Sequence, residues 1–360
     1  MKTAFAGMAL FLAVLAATAS AATAVGPASR KVTDMAGRVL ALPGEVKHVA
    51  CMDVLCYQKL FMLGASDRAV MIYRTDAPWM NITNPDAAAI HQIAGEPNME
   101  ELLLRKVDVA FFAYDIQKTT QKLASIGIPG VVSQAGGLGF RAKTMEDFTR
   151  TIKRQILVYG EVLGGRPLER AKAWCRYFDE RVRFVTDRTR RLPEASRTRM
   201  FYMRGPTTLE THGKGAYVYW YGKMAGAQMV VENEPYFTKG PTSMESLLLW
   251  DPEVVLVGRS YSPNLVLNDP RWKNIKAVRT GRVYPSPSGV FYWDGGLEGV
   301  LLMQYLAKKL YPRLFEDLDL KAEVRFFYRQ FYNYALSEEQ AEKMLAGLGP
   351  DGVRRPLYNN

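Results

Sequence analysis

The sequence is poor in the residues that build metal and redox sites. Its 360 residues include only three histidines and three cysteines. An odd cysteine count allows at most one intramolecular disulfide, so a hydrophobic core must hold the fold. His48, His91 and His212 are widely spaced, and no His/Cys/carboxylate group has zinc-type spacing. Bare metal is therefore a poor fit as ligand, and no metal site is assigned. Catalytic signatures are missing too. There is no G-x-S-x-G elbow, no H-E-x-x-H and no papain-like cysteine context. The glycines of "AGGLGFRA" lack the third, helix-opening glycine of a dinucleotide fingerprint. These absences argue against an enzyme and assign no catalytic residue. A thiol enzyme using Cys51 or Cys56 is the remote alternative. Beyond residue 24, no stretch has the length and apolarity of a membrane span.

What is present is globular. Apolar residues make up 48% and charged residues 23%, and the length suffices for two ordinary domains. Lys and Arg exceed Asp and Glu by 11, which suits an anionic partner or surface without choosing one. Residues 1–24, "MKTAFAGMALFLAVLAATASAATA", read as a secretory signal peptide: one lysine, an apolar run, then Ala-x-Ala spacing. No cysteine follows the run, which argues against a lipid anchor. The expectation is a soluble, exported protein in a bacterial periplasm.

Short strands then alternate with helices, the grammar of an α/β fold with parallel sheets. "KVTDMAGRVLALP" reads as a hairpin turning at Ala36-Gly37. "KHVAC", "AVMIY", "VDVAFFAY" and "GVVSQ" read as strands of a first lobe. Residues 144–192 are helical, broken near Gly164-Gly165-Arg166-Pro167. Ala171, Trp174, Cys175, Phe178, Val182 and Val185 make one apolar face of a long amphipathic helix. Strands restart with "RTRMFYMRG", "EVVLVGR" and "GRVYPSP". Two segments match: "NMEELLLRKVDVAFF" and "SMESLLLWDPEVVLV", one in each half. The expected organisation is an N-terminal lobe over 25–150, a linking helical spine over 151–194, a C-terminal lobe over 195–312, and a helical tail over 313–360 packed on the C-terminal lobe.

With this layout the chain resembles the rigid-spine class of periplasmic substrate-binding proteins of ABC importers. That class serves ferric siderophores, haem, vitamin B12 and some metal or oxoanion ligands. The resemblance rests on "VTDMAGRVLALPGEVKHVAC", "GEPNMEELLLRKVDVAFF", "TSMESLLLWDPEVVLVG" and "DPRWKNIKAVRTGRVYPSP". It implies two α/β lobes joined by a single long spine helix, with a ligand cleft between them. It also implies that Glu100 and Glu245, one on each lobe, dock onto arginines of the permease. Favourable placement in the first turn of a helix is a second reason for these glutamates, and both can hold.

Ligands of open α/β sheets collect beyond the carboxyl ends of the strands. The segments there supply Met52, Asp53, Tyr73, Arg74, Trp79, Tyr114, Arg141, Arg204, His212, Tyr217, Trp220, Arg259, Tyr261, Tyr292 and Trp293. Arginine offers forked donors to anions, and Trp and Tyr stack on flat faces. The combination suits a planar anionic metal chelate, an iron(III)-siderophore in the first instance. Corrinoid, haem and a molybdate-type oxoanion are the alternatives. No intrinsic cofactor is expected, since any metal arrives within the ligand. The expected partners are this small molecule and the permease, with no nucleic acid, and the chain is expected to be monomeric.

The departures from the family's pattern lie at "CMDVLC" and "GVFYWDGG". For Cys51 and Cys56, two readings stand: a disulfide stiffening the loop, or two reduced thiols packed locally. Direct metal ligation is a third, lesser one. Cys175 reads as a small buried hydrophobe.

Overall fold

The computed structural model describes residues 30–113, 117–134, 142–235 and 239–357. The signal-peptide reading and the candidates Tyr114 and Arg141 fall outside these residues. The chain opens with the expected hairpin, Arg30–Thr33 paired with Val39–Leu42. Asp34 closes it: its carboxylate accepts from the backbone N–H of Ala36 and Arg38 and pairs with the Arg38 guanidinium at 2.6 Å. Gly37, at φ 79°, supplies the left-handed position of the turn.

The first sheet has five parallel strands. Their order is His91–Ile93, Ala69–Tyr73, Val49–Cys51, Val109–Phe112, Gly130–Val132. Alternating side chains divide between two cores. Cys51 and Phe111 join the main apolar cluster, whereas Ala50, Ala110 and Phe112 join a smaller cluster on the other face. The second sheet is also parallel, in the order Gln228–Met229, Arg199–Met203, Val254–Val257, Val283–Pro285. Its central strand Val254–Val257 is wholly buried, as expected where helices cover both faces. A short antiparallel pair, Glu210–His212 with Lys239–Pro241, lies beside it. This pair and the edge strand His91–Ile93 were not read from the sequence.

Two helices link the sheets, and they form a hairpin. Met145–Leu163 turns at Gly164, φ 68°, into Gly165–Thr189. The second helix, of 25 residues, is about 37 Å long and is the spine. The two run antiparallel in close contact. Lys153 pairs with Asp179 at 2.8 Å, and a Cβ on Gly160 would lie 2.8 Å from that of Ala171. Trp174, Phe178 and Val185 of the apolar stripe are buried. Cys175 is free and half-buried, and burial pushes its thiol up to about 12.

The tail reaches further than the second lobe. Leu320–Tyr332 and Glu338–Leu345 are helical. Trp79 of the first lobe donates its indole N–H to Leu348 O at 2.8 Å. Arg170 of the spine donates to Phe331 O at 2.7 Å. Tyr292 and Tyr261 of the second lobe donate to Arg355 O and Leu357 O. The tail therefore ties spine and both lobes together. No described helix is long and apolar enough to cross a membrane.

Candidate functional site

Strand order sharpens the location of the site. Numbered by position in the chain, the first sheet runs 3-2-1-4-5 and the parallel strands of the second run 2-1-3-4. Each order reverses beside its first strand, and that reversal opens a crevice beyond the carboxyl ends. In the first sheet the crevice lies between Val49–Cys51 and Val109–Phe112, at Met52, Asp53 and Ala113. In the second it lies between Arg199–Met203 and Val254–Val257, at Arg204, Gly258 and Arg259.

On the second lobe these positions gather a polar cluster. Tyr202 donates to the buried Asp294 carboxylate at 2.6 Å, and the Arg259 backbone N–H donates to the same oxygen at 2.7 Å. The Arg259 guanidinium lies 3.9 Å from the other Asp294 oxygen. Arg204 pairs with Glu210 at 2.6 Å. His212 packs its ring against Tyr202 at 5.0 Å. Burial, then the guanidinium groups of Arg259 and Arg204, push its imidazole well below the ordinary range, so it stands neutral. Its Nδ1 is buried with no hydrogen-bond partner among the described residues, as is the Ser260 hydroxyl.

The backbone here is strained in a specific way. Arg259 and Ser260 both have left-handed φ, 54° and 57°, although neither is glycine. Two such residues in succession cost about 1–3 kcal/mol each and persist only where packing over-determines them. Gly258 is part of that packing, because a Cβ there would lie 2.3 Å from the Tyr202 hydroxyl. In this conformation the Arg259 N–H points onto Asp294.

On the first lobe, Asp53 is half-buried at the crevice. Burial raises its carboxyl above the usual range, opposed by Lys59 and by the N–H groups of Leu55 and Ala113. Lys59 is buried, donates to Leu55 O at 2.5 Å, and lies 5.3 Å from the Tyr159 ring centre. Burial lowers its ammonium to about 8. Cys51 and Cys56 are joined in a disulfide with Cα atoms 5.3 Å apart, which resolves the alternatives left open by the sequence. The bridge clamps Met52–Leu55 between strand and helix.

The remaining candidates divide. Tyr217 bridges the lobes: Gln134 and Gln155 donate to its hydroxyl at 2.7 and 3.0 Å. Trp220 stacks on Phe148 at 6.1 Å and is nearly buried. Arg74 is exposed and lines a recess of about 520 Å³ with Asp76, Gln92 and Arg355. Tyr73 donates to Ala94 O at 2.7 Å, away from the second-lobe cluster. Trp79, Tyr292 and Trp293 are a correction. All three are fully buried, so they are core residues and present no stacking wall. Tyr261 is also buried, with its hydroxyl on Leu357 O. Sequence proximity to strand ends could not separate wall from core. Tyr202, Asp294, Ser260 and Lys59 were missed. Asp294 carried one signal, since it is the carboxylate inside the unusual "FYWDGG".

A larger recess, about 770 Å³, is lined by Arg199, Gln228 and Asp251 among others. These residues stand at the starts of strands, the opposite edge from the crevice. Among the described residues, no group of three or more His, Cys, Asp or Glu is placed to hold a metal ion.

Comparison with known proteins agrees with this architecture. The family model described as periplasmic binding protein matches residues 49–289. The chain belongs to the periplasmic binding protein family. A curated relative, the molybdate-binding protein MolA of Haemophilus influenzae, is 28% identical over 340 residues, covering 88% of this chain and 94% of MolA. The structure of MolA bound to molybdate superposes with a TM-score of 0.75 at 24% identity, covering 86% of this chain and 99% of that one. A periplasmic solute-binding protein of Veillonella parvula gives 0.75 at 23% identity, with 88% and 97% covered. CeuE of Helicobacter pylori with Ni(II) bound gives 0.69 at 19%, with 88% and 99% covered. These structural likenesses carry the two-lobe fold of periplasmic binding proteins.

Proposed function

We propose that this chain is the periplasmic solute-binding component of an ABC importer for a compact oxoanion of the molybdate type. The supporting observation is the convergence of Arg204, His212 and Arg259 at the crevice of the second sheet. Each arginine is already offset by a carboxylate, Glu210 or Asp294. The ligand's charge then meets oriented N–H and O–H donors, including neutral His212 and Ser260, rather than a large excess of cations. Several aromatic candidates that favoured a broad planar chelate are core residues. The MolA relative's ligand points the same way.

A second reading, an acidic ferric chelate, draws on the Arg74 and Arg355 recess, which is large enough for a bulky anion. In either reading the protein binds and releases its ligand unchanged, as a monomer. Exposed Glu100 and Glu245, at the first turns of equivalent helices, dock onto the permease.

Tryptophan-fluorescence titration of the mature protein separates the readings. The panel holds molybdate, tungstate, ferric citrate, ferric hydroxamate and catecholate chelates, cobalamin, haem and nickel–histidine. Saturable response to molybdate and tungstate supports the oxoanion. A response to ferric chelates alone overturns it in favour of the second reading.

A further inference from the structure

The segment after helix Glu338–Leu345 runs along the carboxyl edge of the second sheet. Ser288 N donates to Met344 O at 3.2 Å, which sets the end of the helix against that edge. Gly347, at φ 69°, turns the chain in the left-handed conformation common just past helix ends. The turn is tight against the sheet, since a Cβ there would lie 2.7 Å from Ser286 O. Ser286 directly follows strand Val283–Pro285. Arg354 then folds back and donates to Ala346 O and Gly347 O at 2.9 and 3.3 Å, closing residues 347–354 into a loop.

From this loop the segment reaches the crevice itself. Leu357 N donates to Arg259 O at 3.0 Å, and the Leu357 side chain is buried. Tyr261 and Tyr292 donate to Leu357 O and Arg355 O at 3.1 and 3.0 Å. The first lobe holds the segment from the other side, with Trp79 donating to Leu348 O. Pro350, Asp351 and Arg355 line the recess of about 520 Å³ together with Arg74 and Asp76 of the first lobe. One short segment therefore touches a crevice residue of the second lobe and walls a recess shared with the first.

Its fastening is mostly polar. Leu357 is the one large side chain buried among residues 349–357, whereas Asp351, Gly352 and Val353 are exposed. Hydroxyl, indole and guanidinium donors on its carbonyls do the rest. An irregular segment is ordered only where it is tied down, and hydrogen bonds of this kind each contribute modestly. The segment can thus part from the lobes while the helices before it stay packed.

We infer that residues 348–357 are a strap that closes one end of the ligand cleft, retaining the bound ligand and limiting its size. A compact anion fits at Arg204, His212 and Arg259 with the strap in place. A chelate broad enough to reach from Arg259 to the Arg74 loop meets the strap's backbone instead. The size limit rests on the oxoanion reading above, whereas the retention does not.

The test compares the mature protein with a variant ending at Leu348 and with Tyr261→Phe/Tyr292→Phe. The truncation keeps the carbonyl that Trp79 uses, and the phenylalanines remove two anchors without emptying the core. Equilibrium dialysis against molybdate and against ferric citrate, read by metal analysis, gives affinities. Rapid filtration after dilution gives release rates. Truncation should speed molybdate release about tenfold and strengthen ferric citrate binding about tenfold or more. The double variant should shift both in the same direction by about threefold. A merely destabilised protein gains no ligand, so the ferric citrate result separates a strap from a structural role. Release and ferric citrate affinity both unchanged on truncation overturn the proposal. Where the truncated chain does not fold, the double variant decides, and parental values for it overturn the proposal. If the unaltered protein binds ferric citrate and no molybdate, the oxoanion reading and the size limit fall. Retention is then judged on ferric citrate release: about tenfold faster on truncation upholds it, and an unchanged rate overturns it.

Discussion

Gln58 of the first lobe is clasped by Glu298 of the second. Its amide donates to the Glu298 carboxylate at 2.8 Å, and its carbonyl accepts from Leu297 N at 3.0 Å. Glu298 is fully buried and also accepts from Phe291 N, Val290 N and the Tyr328 hydroxyl. Alongside it, Tyr57 donates to Val290 O at 2.8 Å. The lobes thus meet through a buried polar joint, next to the spine and tail.

This joint carries a pH dependence. Burial raises the Glu298 carboxyl to about 7, against an ordinary 4.5, despite its hydrogen bonds. The folded state therefore holds a proton that the unfolded state has lost. Stability from this group is full below pH about 4.5 and is lost as pH rises through about 7, a change on the order of 3 kcal/mol. Neutral His212 acts oppositely, adding stability as pH rises through its ordinary range. Melting temperatures of the unaltered protein and Glu298→Gln, measured from pH 5 to 8, isolate the term. The difference in favour of the unaltered protein should shrink as pH rises, and a constant difference contradicts it.

The disulfide closes a loop of five-residue separation. A loop this short stabilises by about 2 kcal/mol in the chain-entropy model. Cys51→Ser/Cys56→Ser should melt lower and bind its ligand more weakly, because Met52 and Asp53 lie in the loop. Mass spectrometry after alkylation should find one modified cysteine, Cys175, under denaturing but non-reducing conditions. It should find three after reduction. Three before reduction contradicts the bridge.

The helical hairpin depends on close approach at Gly160. A Cβ there meets Ala171 Cβ at 2.8 Å and Leu168 Cα at 3.0 Å. Gly160→Val should destabilise by about 1–3 kcal/mol through overpacking. A denaturant midpoint unchanged from the parent contradicts the packing described.

Much of this was legible in the sequence because local patterns carried it. Alternating strands and helices, Gly37 and Gly164 as turn signals, and the apolar stripe from Ala171 to Val185 all read correctly. What local patterns could not supply was strand order. Only the order places Asp53, Arg204 and Arg259 at the crevices and leaves Tyr73 to one side. Aromatic identity was a poor guide for a related reason. Trp79 and Tyr292 follow strands, yet the tail folds back over them and supplies carbonyls to their polar atoms. Contacts across 269 residues for Trp79 and 63 for Tyr292 leave no local trace. The roles of the buried carboxylates Asp294 and Glu298 were hidden for the same reason, since Tyr202 lies 92 residues from Asp294 and Gln58 lies 240 residues from Glu298.

The most direct test is a crystal of the mature protein grown with molybdate, with diffraction recorded at the molybdenum absorption edge. The account predicts one strong anomalous peak at the crevice of the second sheet, within hydrogen-bonding reach of Arg259 or Arg204 and of His212. It also predicts that Arg259→Ala abolishes the peak while the fold persists. A peak in the Arg74 and Arg355 recess, or none at ligand concentrations that saturate fluorescence, contradicts it.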